Sequence, residues 1–200
     1  MRKYFEKGGV AAAIVLIAFG IGAIALGVNG RETVRESLAQ EKIVGSDNMT
    51  VAAVTAEVEE AGLTGIALPT CEVAGKPIDT GSEARCFASY IRVHTLESTG
   101  GLTYAEMGRF MAADGNPAGT SDPAAALKGE DGEPVSNGAR NLWVTSTALQ
   151  TALNTSYMAE QTALFGIVVG IALLLAGIGF AVLTLGGALR REPAGKVVTT

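Results

Sequence analysis

The chain has 200 residues, of which 48% are hydrophobic and only 18% charged, and its mean hydropathy is +0.32. The apolar residues are concentrated in two stretches without a charged side chain, residues 9–27 and 163–185. Each stretch is close to the roughly 20 residues that cross the hydrocarbon core of a bilayer as a helix. The composition therefore argues against a soluble globular enzyme and against a multi-span transporter.

The first apolar stretch predicts a transmembrane helix over residues 9–28, after a short N-terminal segment of residues 1–8. A basic start and the Ala23-Ile24-Ala25 pattern are also found in cleavable signal peptides. The stretch is longer than the roughly 7–15 residues of a signal-peptide core, however, and no cysteine follows it that could be acylated as in a lipoprotein. We therefore expect an uncleaved anchor.

The distribution of charge predicts the orientation of the chain. Residues 1–8 and 186–200 each contain three basic side chains and one acidic side chain, whereas residues 29–162 contain nine basic and eighteen acidic ones. Basic flanks are retained in the cytoplasm, so we expect both termini to be cytoplasmic and residues 29–162 to form an extracytoplasmic domain. An acidic exterior also argues against a nucleic-acid partner, because phosphate binding requires clustered Lys and Arg.

The exterior domain begins with two predicted helices. Residues 31–42 contain strong helix formers and are expected to continue the first span until the turn-forming residues 45–48. Residues 51–61 are rich in alanine and valine, and they precede Gly62, a residue type that commonly ends helices. The nearby acidic residues Glu57, Glu59 and Glu60 are interpreted as a solvated face rather than a calcium site, because they lack EF-hand spacing.

Cys71 and Cys86 lie 15 positions apart in the predicted exterior, where disulfides persist. We expect a disulfide between them. The alternative is a redox or metal-binding pair, but no CxxC motif is present and the nearest histidine is His94.

Two capping-box patterns predict a helical hairpin. Thr80 with Glu83 opens a helix to about residue 98, and Thr103 with Glu106 opens a second helix to about residue 113. A short glycine turn between them favours an antiparallel pair. The expected core residues of this hairpin are Phe87, Ile91, Met107 and Phe110.

Residues 116–137 are rich in Gly, Pro and acidic side chains and predict a flexible loop. After this loop, residues 140–162 contain no Gly or Pro and are expected to run as one helix into a second span over residues 163–185. Trp143 lies at the start of this helix. Its indole is expected either to pack on the hairpin or to mark a contact surface.

Small residues recur along one face of the second span at intervals of three, four or seven, and such a face lets helices approach closely. This face has two interpretations: the two spans pack on each other, or the face binds a partner membrane protein. Its members are Ala163, Gly166, Gly170, Gly177 and Ala181.

The sequence predicts no catalytic, cofactor-binding or metal-binding residues. His94 is the only histidine, so a site that needs two histidines within one chain is excluded, and no GxSxG, P-loop or GxGxxG motif is present. We interpret His94 as a structural or surface residue. Enzymatic activity with His94 as a base is the third-ranked hypothesis.

Four segments resemble a family of small actinobacterial two-span membrane proteins that is often labelled "aromatic ring-opening dioxygenase". They are residues 41–43 (EKI), 74–79 (AGKPID), 94–107 (HTLESTGGLTYAEM) and 140–145 (RNLWVT). The resemblance implies an actinobacterial cell envelope but no defined activity. The label does not fit this chain, because extradiol ring opening uses iron held by two histidines and a carboxylate. The cysteine pair and the loop of residues 116–137 are additions to the family pattern.

These features predict a mainly α membrane protein with two transmembrane helices flanking an extracytoplasmic helical domain. Our leading hypothesis is a non-enzymatic accessory or scaffold protein of the cell envelope that binds the lipid bilayer and a membrane-protein partner, a respiratory assembly being one candidate. The alternative is an extracytoplasmic sensor or ligand-binding module built on the helical hairpin.

Overall fold

A computed structural model describes the backbone of residues 2–186 and the side chains of residues 6–186. Within this range the chain is mainly helical, with isolated β-bridges and no β-strand. The predicted C-terminal tail, residues 186–200, lies outside the described residues except for Gly186. The described elements are α1 (Arg2–Gln40), α2 (Val51–Glu60), α3 (Gly81–Ser98), a short 3-10 turn (Tyr104–Glu106) and α4 (Gly138–Leu185).

The chain divides into two compact units. The helix-pair unit contains the described residues of Met1–Thr33 and Glu160–Thr200, and the central unit is Val34–Ala159. The helices α1 and α4 contribute residues to both units, because each continues past the unit boundary without a break. The predictions that one helix continues beyond the first apolar stretch and that another runs into the second apolar stretch are confirmed.

The helix-pair unit consists of two helices that are long and apolar enough to cross a membrane. Only 17% of the most apolar window of α1 and 11% of that of α4 is buried. Large side chains such as Phe19 and Leu26 on α1 and Phe165 on α4 are 69%, 75% and 68% exposed. A helix in the core of a soluble protein buries such residues, so these two helices differ from core helices.

The central unit has one main hydrophobic core, formed where α2 packs on α3. Val54 and Val58 lie one turn apart on α2 and are buried against α3. The Thr50 hydroxyl accepts a hydrogen bond from the Ala53 amide at 3.2 Å and so caps the start of α2. The other buried members of this core are Leu38, Met49, Val73, Ile78, Ala84, Cys86, Ala88, Tyr90, Val93 and Leu153.

The predicted capping box of α3 is present. The Thr80 hydroxyl accepts from the Glu83 amide at 3.3 Å, and the Glu83 carboxylate accepts from the Thr80 amide at 3.0 Å. The helix ends at Ser98, and two glycines with positive φ, Gly100 and Gly101, follow it. The sequence therefore located both ends of α3.

The second helix of the predicted hairpin is not formed, so the predicted helical hairpin is wrong. The Glu106 carboxylate accepts hydrogen bonds from the Thr103 amide and hydroxyl, each at 2.7 Å, but the turn that follows has only three residues. The chain then becomes extended because its backbone pairs elsewhere. Phe110 forms bridges with Thr120 and Ser136.

The segment of residues 116–137 folds back on residues 108–112 through backbone hydrogen bonds. The Leu127 amide donates to the Met111 carbonyl at 2.8 Å, and the Val135 amide donates to the Leu127 carbonyl at 2.9 Å. The Asn137 side chain fixes the end of the segment: its amide donates to the Gly108 carbonyl at 3.0 Å, and its oxygen accepts from the first turn of α4. The flexibility of this segment stays a prediction.

Candidate functional site

The small-residue face of α4 packs against α1 within the helix-pair unit. A Cβ atom added at Gly170 would lie 2.8 Å from the Gly20 carbonyl oxygen, and one added at Gly20 would lie 2.7 Å from the Leu174 amide nitrogen. These distances are shorter than real Cβ contacts, so the two backbones touch at this crossing. Both glycines are buried.

Two further glycines extend the contact along the helix pair. A Cβ atom at Gly177 would lie 3.1 Å from the Ala13 carbonyl oxygen, and one at Gly27 would lie 2.6 Å from the Ala163 carbonyl oxygen. Gly166 is looser, with the nearest α1 atom 3.9 Å from such a Cβ, and Ala181 is half-buried. Packing between the two apolar helices therefore accounts for the tightest members of the predicted face.

An ion pair lies on the same helix pair, beyond its last glycine contact. The Arg31 Nε atom donates to the Glu160 Oε1 atom at 2.8 Å. The Glu160 side chain is 6% exposed and the Arg31 side chain 41% exposed, so water reaches the pair from the arginine side. A carboxylate buried to this degree requires a hydrogen-bonded cation. No local sequence pattern marks this pair, because its partners lie on different helices.

Trp143 belongs to a second hydrophobic cluster of the central unit. It is 8% exposed and packs with Leu96 and Met107. The Arg92 guanidinium lies 5.5 Å from the centre of its ring, within the range of a cation–π contact. Of the two interpretations of this residue, intramolecular packing fits its burial.

The predicted disulfide is confirmed: the Cys71 and Cys86 sulfur atoms are bonded, and their Cα atoms are 6.0 Å apart. Tyr90 lies beneath it with 0% exposure, and its hydroxyl donates to the Cys71 carbonyl at 2.7 Å. Burial raises the pKa of the Tyr90 phenol, and the charge of Glu72 raises it further. Tyr90 therefore ties the exposed half of the disulfide, Cys71, to the core.

His94 lies opposite an acidic residue of α2. Its Nε2 atom is 3.2 Å from the Glu57 Oε2 atom, and the other Glu57 oxygen accepts a hydrogen bond from the Asn48 amide at 2.9 Å. Glu57 thus turns toward α3, while Glu59 and Glu60 are exposed. Among the described side chains, no group of three His, Cys, Asp or Glu residues could hold a metal ion.

A surface cleft of about 350 Å³ opens beside the disulfide in the central unit; we call it the disulfide cleft. One charged side chain lines it, that of Arg85, whose guanidinium lies 4.7 Å from the centre of the Tyr157 ring. Thr70 and Ser82 add hydroxyl groups to the wall. No local sequence pattern marks this site, because its residues come from α3, α4 and the loop that precedes Cys71.

Comparison of the whole chain with protein-family models, with curated proteins and with solved structures finds no match.

Proposed function

We propose that the protein is a non-enzymatic accessory or scaffold protein of the cell envelope, held in the bilayer by α1 and α4. The exposed apolar surface of these helices carries the proposal. Both contain charge-free stretches long enough to span a bilayer, and at most 17% of either apolar window is buried in the chain. Such an apolar surface is stable in contact with lipid, because lipid shields it from water.

Charge and the disulfide support an extracytoplasmic position for the central unit. Basic residues predominate in residues 1–8 and 186–200, whereas acidic residues outnumber basic ones two to one in residues 29–162. A disulfide such as Cys71–Cys86 persists outside the reducing cytoplasm. Both features agree with cytoplasmic termini and an exterior central unit.

For the accessory role, we assign the binding surface for a partner protein to the central unit. The tightest small residues of the predicted face, Gly170 and Gly177, already contact α1, so they are not free to receive a second helix. We therefore propose that the central unit docks on a larger membrane complex, with a respiratory assembly as one candidate. The suspected relationship to actinobacterial two-span proteins agrees with such an envelope role.

Anchoring and orientation are tested in cells with fusions and extraction. Alkaline phosphatase inserted at the exposed turn of residues 129–132 is expected to be active. Alkaline phosphatase fused to the C-terminus is expected to be inactive, whereas green fluorescent protein fused to the C-terminus is expected to be fluorescent. The intact chain should stay in the membrane after carbonate extraction. Release by carbonate, or an active C-terminal phosphatase, would contradict the proposal.

Docking is tested by crosslinking in the native membrane, followed by purification of the tagged chain and quantitative mass spectrometry. The control keeps α1 and α4 but replaces the central unit with an unrelated exported domain. We expect a stoichiometric membrane complex with the native chain and its loss with the control. Recovery of the native chain alone, or of the same proteins with both chains, would overturn the docking role.

A further inference from the structure

We propose that the disulfide cleft binds a small organic anion, with Arg85 pairing with its carboxylate or phosphate group. The cleft holds about 350 Å³, within the roughly 300–1,000 Å³ typical of small-molecule sites. It belongs to the central unit alone, so the proposal does not depend on the accessory role.

The charge of the cleft favours an anion. Arg85 is the one charged residue in its lining, although the chain between the two apolar stretches is strongly acidic. Glu72 and Glu83 are close to the lining residues in sequence but do not line the cleft: Glu83 caps α3, and the Glu72 carboxylate accepts from the Val51 amide at 3.3 Å. Among the described residues, Arg85 contacts no carboxylate.

The Arg85 guanidinium has an aromatic partner within the cleft. Its carbon lies over the Tyr157 ring, 4.7 Å from the ring centre, within the range of a cation–π contact. A guanidinium in such a contact still has N–H groups that can bind a carboxylate or phosphate. The contact also favours conformations in which the side chain lies in the cleft, which lowers the entropic cost of binding.

Further hydrogen-bond donors surround Arg85. Thr70 and Ser82 line the cleft, and each carries a hydroxyl group. The Ser89 hydroxyl also lies in the lining, but it donates to the Cys86 carbonyl at 2.6 Å. Ser82 also lies in the first turn of α3, where the helix dipole adds to the positive potential.

The remaining wall of the cleft is apolar. Leu68, Pro69 and the disulfide complete the lining beside the Tyr157 ring. An anionic head beside an apolar body matches this division of the cleft. Aromatic acids and aryl phosphates are therefore the ligand class that the lining fits best.

The test measures binding of benzoate and phenyl phosphate to the full chain in nonionic detergent, with benzyl alcohol as the neutral probe. Isothermal titration or ligand-observed NMR gives the dissociation constants. We expect the two anions to bind and benzyl alcohol to bind at least about tenfold more weakly, because only the anions can form an ion pair with Arg85.

The matched variants are Arg85→Gln and Arg92→Gln. Both arginines are exposed residues of α3 whose guanidinium lies over an aromatic ring of α4, but Arg92 lies over Trp143 and outside the cleft. Arg85→Gln is expected to weaken binding of both anions about tenfold or more, and Arg92→Gln to leave it unchanged. Equal binding by native chain and Arg85→Gln, or no binding of either anion, would overturn the proposal.

A third variant, Ser82→Asp, separates loss of binding from loss of folding. An aspartate in the first turn of α3 is favourable for the helix, but it places a negative charge in the cleft. We expect binding to be lost while Trp143 fluorescence and the unfolding transition are retained. Anion binding that persists in Ser82→Asp contradicts the site.

Binding only to vesicles that contain phosphatidylglycerol, and not to either free anion, would assign the cleft to a lipid headgroup and overturn the proposal of a free ligand.

Discussion

Tyr90→Phe is the substitution whose effect the structure defines most closely. Tyr90 is fully buried in the central unit, and its hydroxyl donates to the Cys71 carbonyl at 2.7 Å. Removing the hydroxyl leaves this carbonyl without its donor. Cys71 is an exposed residue, so water can replace part of the hydrogen bond. The expected loss in the free energy of unfolding is therefore about 1 kcal/mol, at the low end of the range of about 1–3 kcal/mol for an unsatisfied buried group.

The same substitution has a signature in the pH dependence of stability. Burial first, and the charge of Glu72 second, raise the pKa of Tyr90 above its ordinary value. The folded state thus favours the neutral phenol. The resulting stabilisation is complete below the ordinary tyrosine pKa of about 10 and is lost as the pH rises through the raised pKa. The difference in stability between native chain and Tyr90→Phe should accordingly shrink above about pH 10.

The assay is unfolding by guanidinium chloride in detergent, followed by the fluorescence of Trp143. This residue is the only tryptophan of the chain, and it is 8% exposed within the same unit as Tyr90. Tyr104→Phe is the control, because Tyr104 is 44% exposed. If Tyr90→Phe is as stable as the native chain at neutral pH and loses stability in parallel with it at high pH, the assigned role of the hydroxyl is refuted.

Three further predictions concern other parts of the fold. Gly170→Leu is expected to lower the midpoint of thermal unfolding in detergent, because the new Cβ would meet the α1 backbone. Gly179→Leu is the control and should not lower the midpoint, because no atom lies within 4 Å of a Cβ at that position. Equal midpoints for the two variants would contradict the helix-pair contact. Replacing Cys71 and Cys86 together by serine should cost about 3 kcal/mol for a loop of about 15 residues, measured by chemical unfolding, and an unchanged transition would refute the estimate. Thr80→Ala removes the cap of α3 and should cost about 1 kcal/mol in the same assay; an unchanged unfolding transition would speak against the cap.

The parts of the fold that could be predicted are those with a local or periodic signal. The two apolar helices follow from the absence of charge over residues 9–27 and 163–185. The start of α3 follows from the spacing of Thr80 and Glu83, because a capping box satisfies helix-terminal amides within four residues. The disulfide followed from two cysteines in one predicted compartment.

The helix predicted after Thr103 shows where a local signal is insufficient. Its carboxylate partner Glu106 is in place, but tertiary contacts of the next residues decide the conformation. A Cβ at Gly108 would overlap with the Thr120 backbone, and the Phe110 amide donates to the Thr120 carbonyl at 2.9 Å. Residues of the polar segment after Gly115 thus form hydrogen bonds with backbone groups that would otherwise pair within a helix.

The candidate site could not be predicted from the sequence for a related reason. Arg85 and Tyr157 belong to different helices, and neither has a neighbour in sequence that marks it as functional. Arg85 and Arg92 lie seven positions apart on α3, so the helical period places them on the same face and does not distinguish them. Both also lie over aromatic rings of α4. Only the fold shows that one of the two lines a cleft.

The contact between Gly20 and Gly170 also constrains how the protein is made. In the anchored protein proposed here, the first span enters the bilayer long before its partner exists, because the ribosome must still add every residue up to the second span. At about 5–20 residues per second, this interval is on the order of ten seconds. During that time the glycine face of α1 is open to lipid and to helices of other nascent proteins. Membrane insertion of α4 is therefore the step that ends this exposure and completes the helix pair.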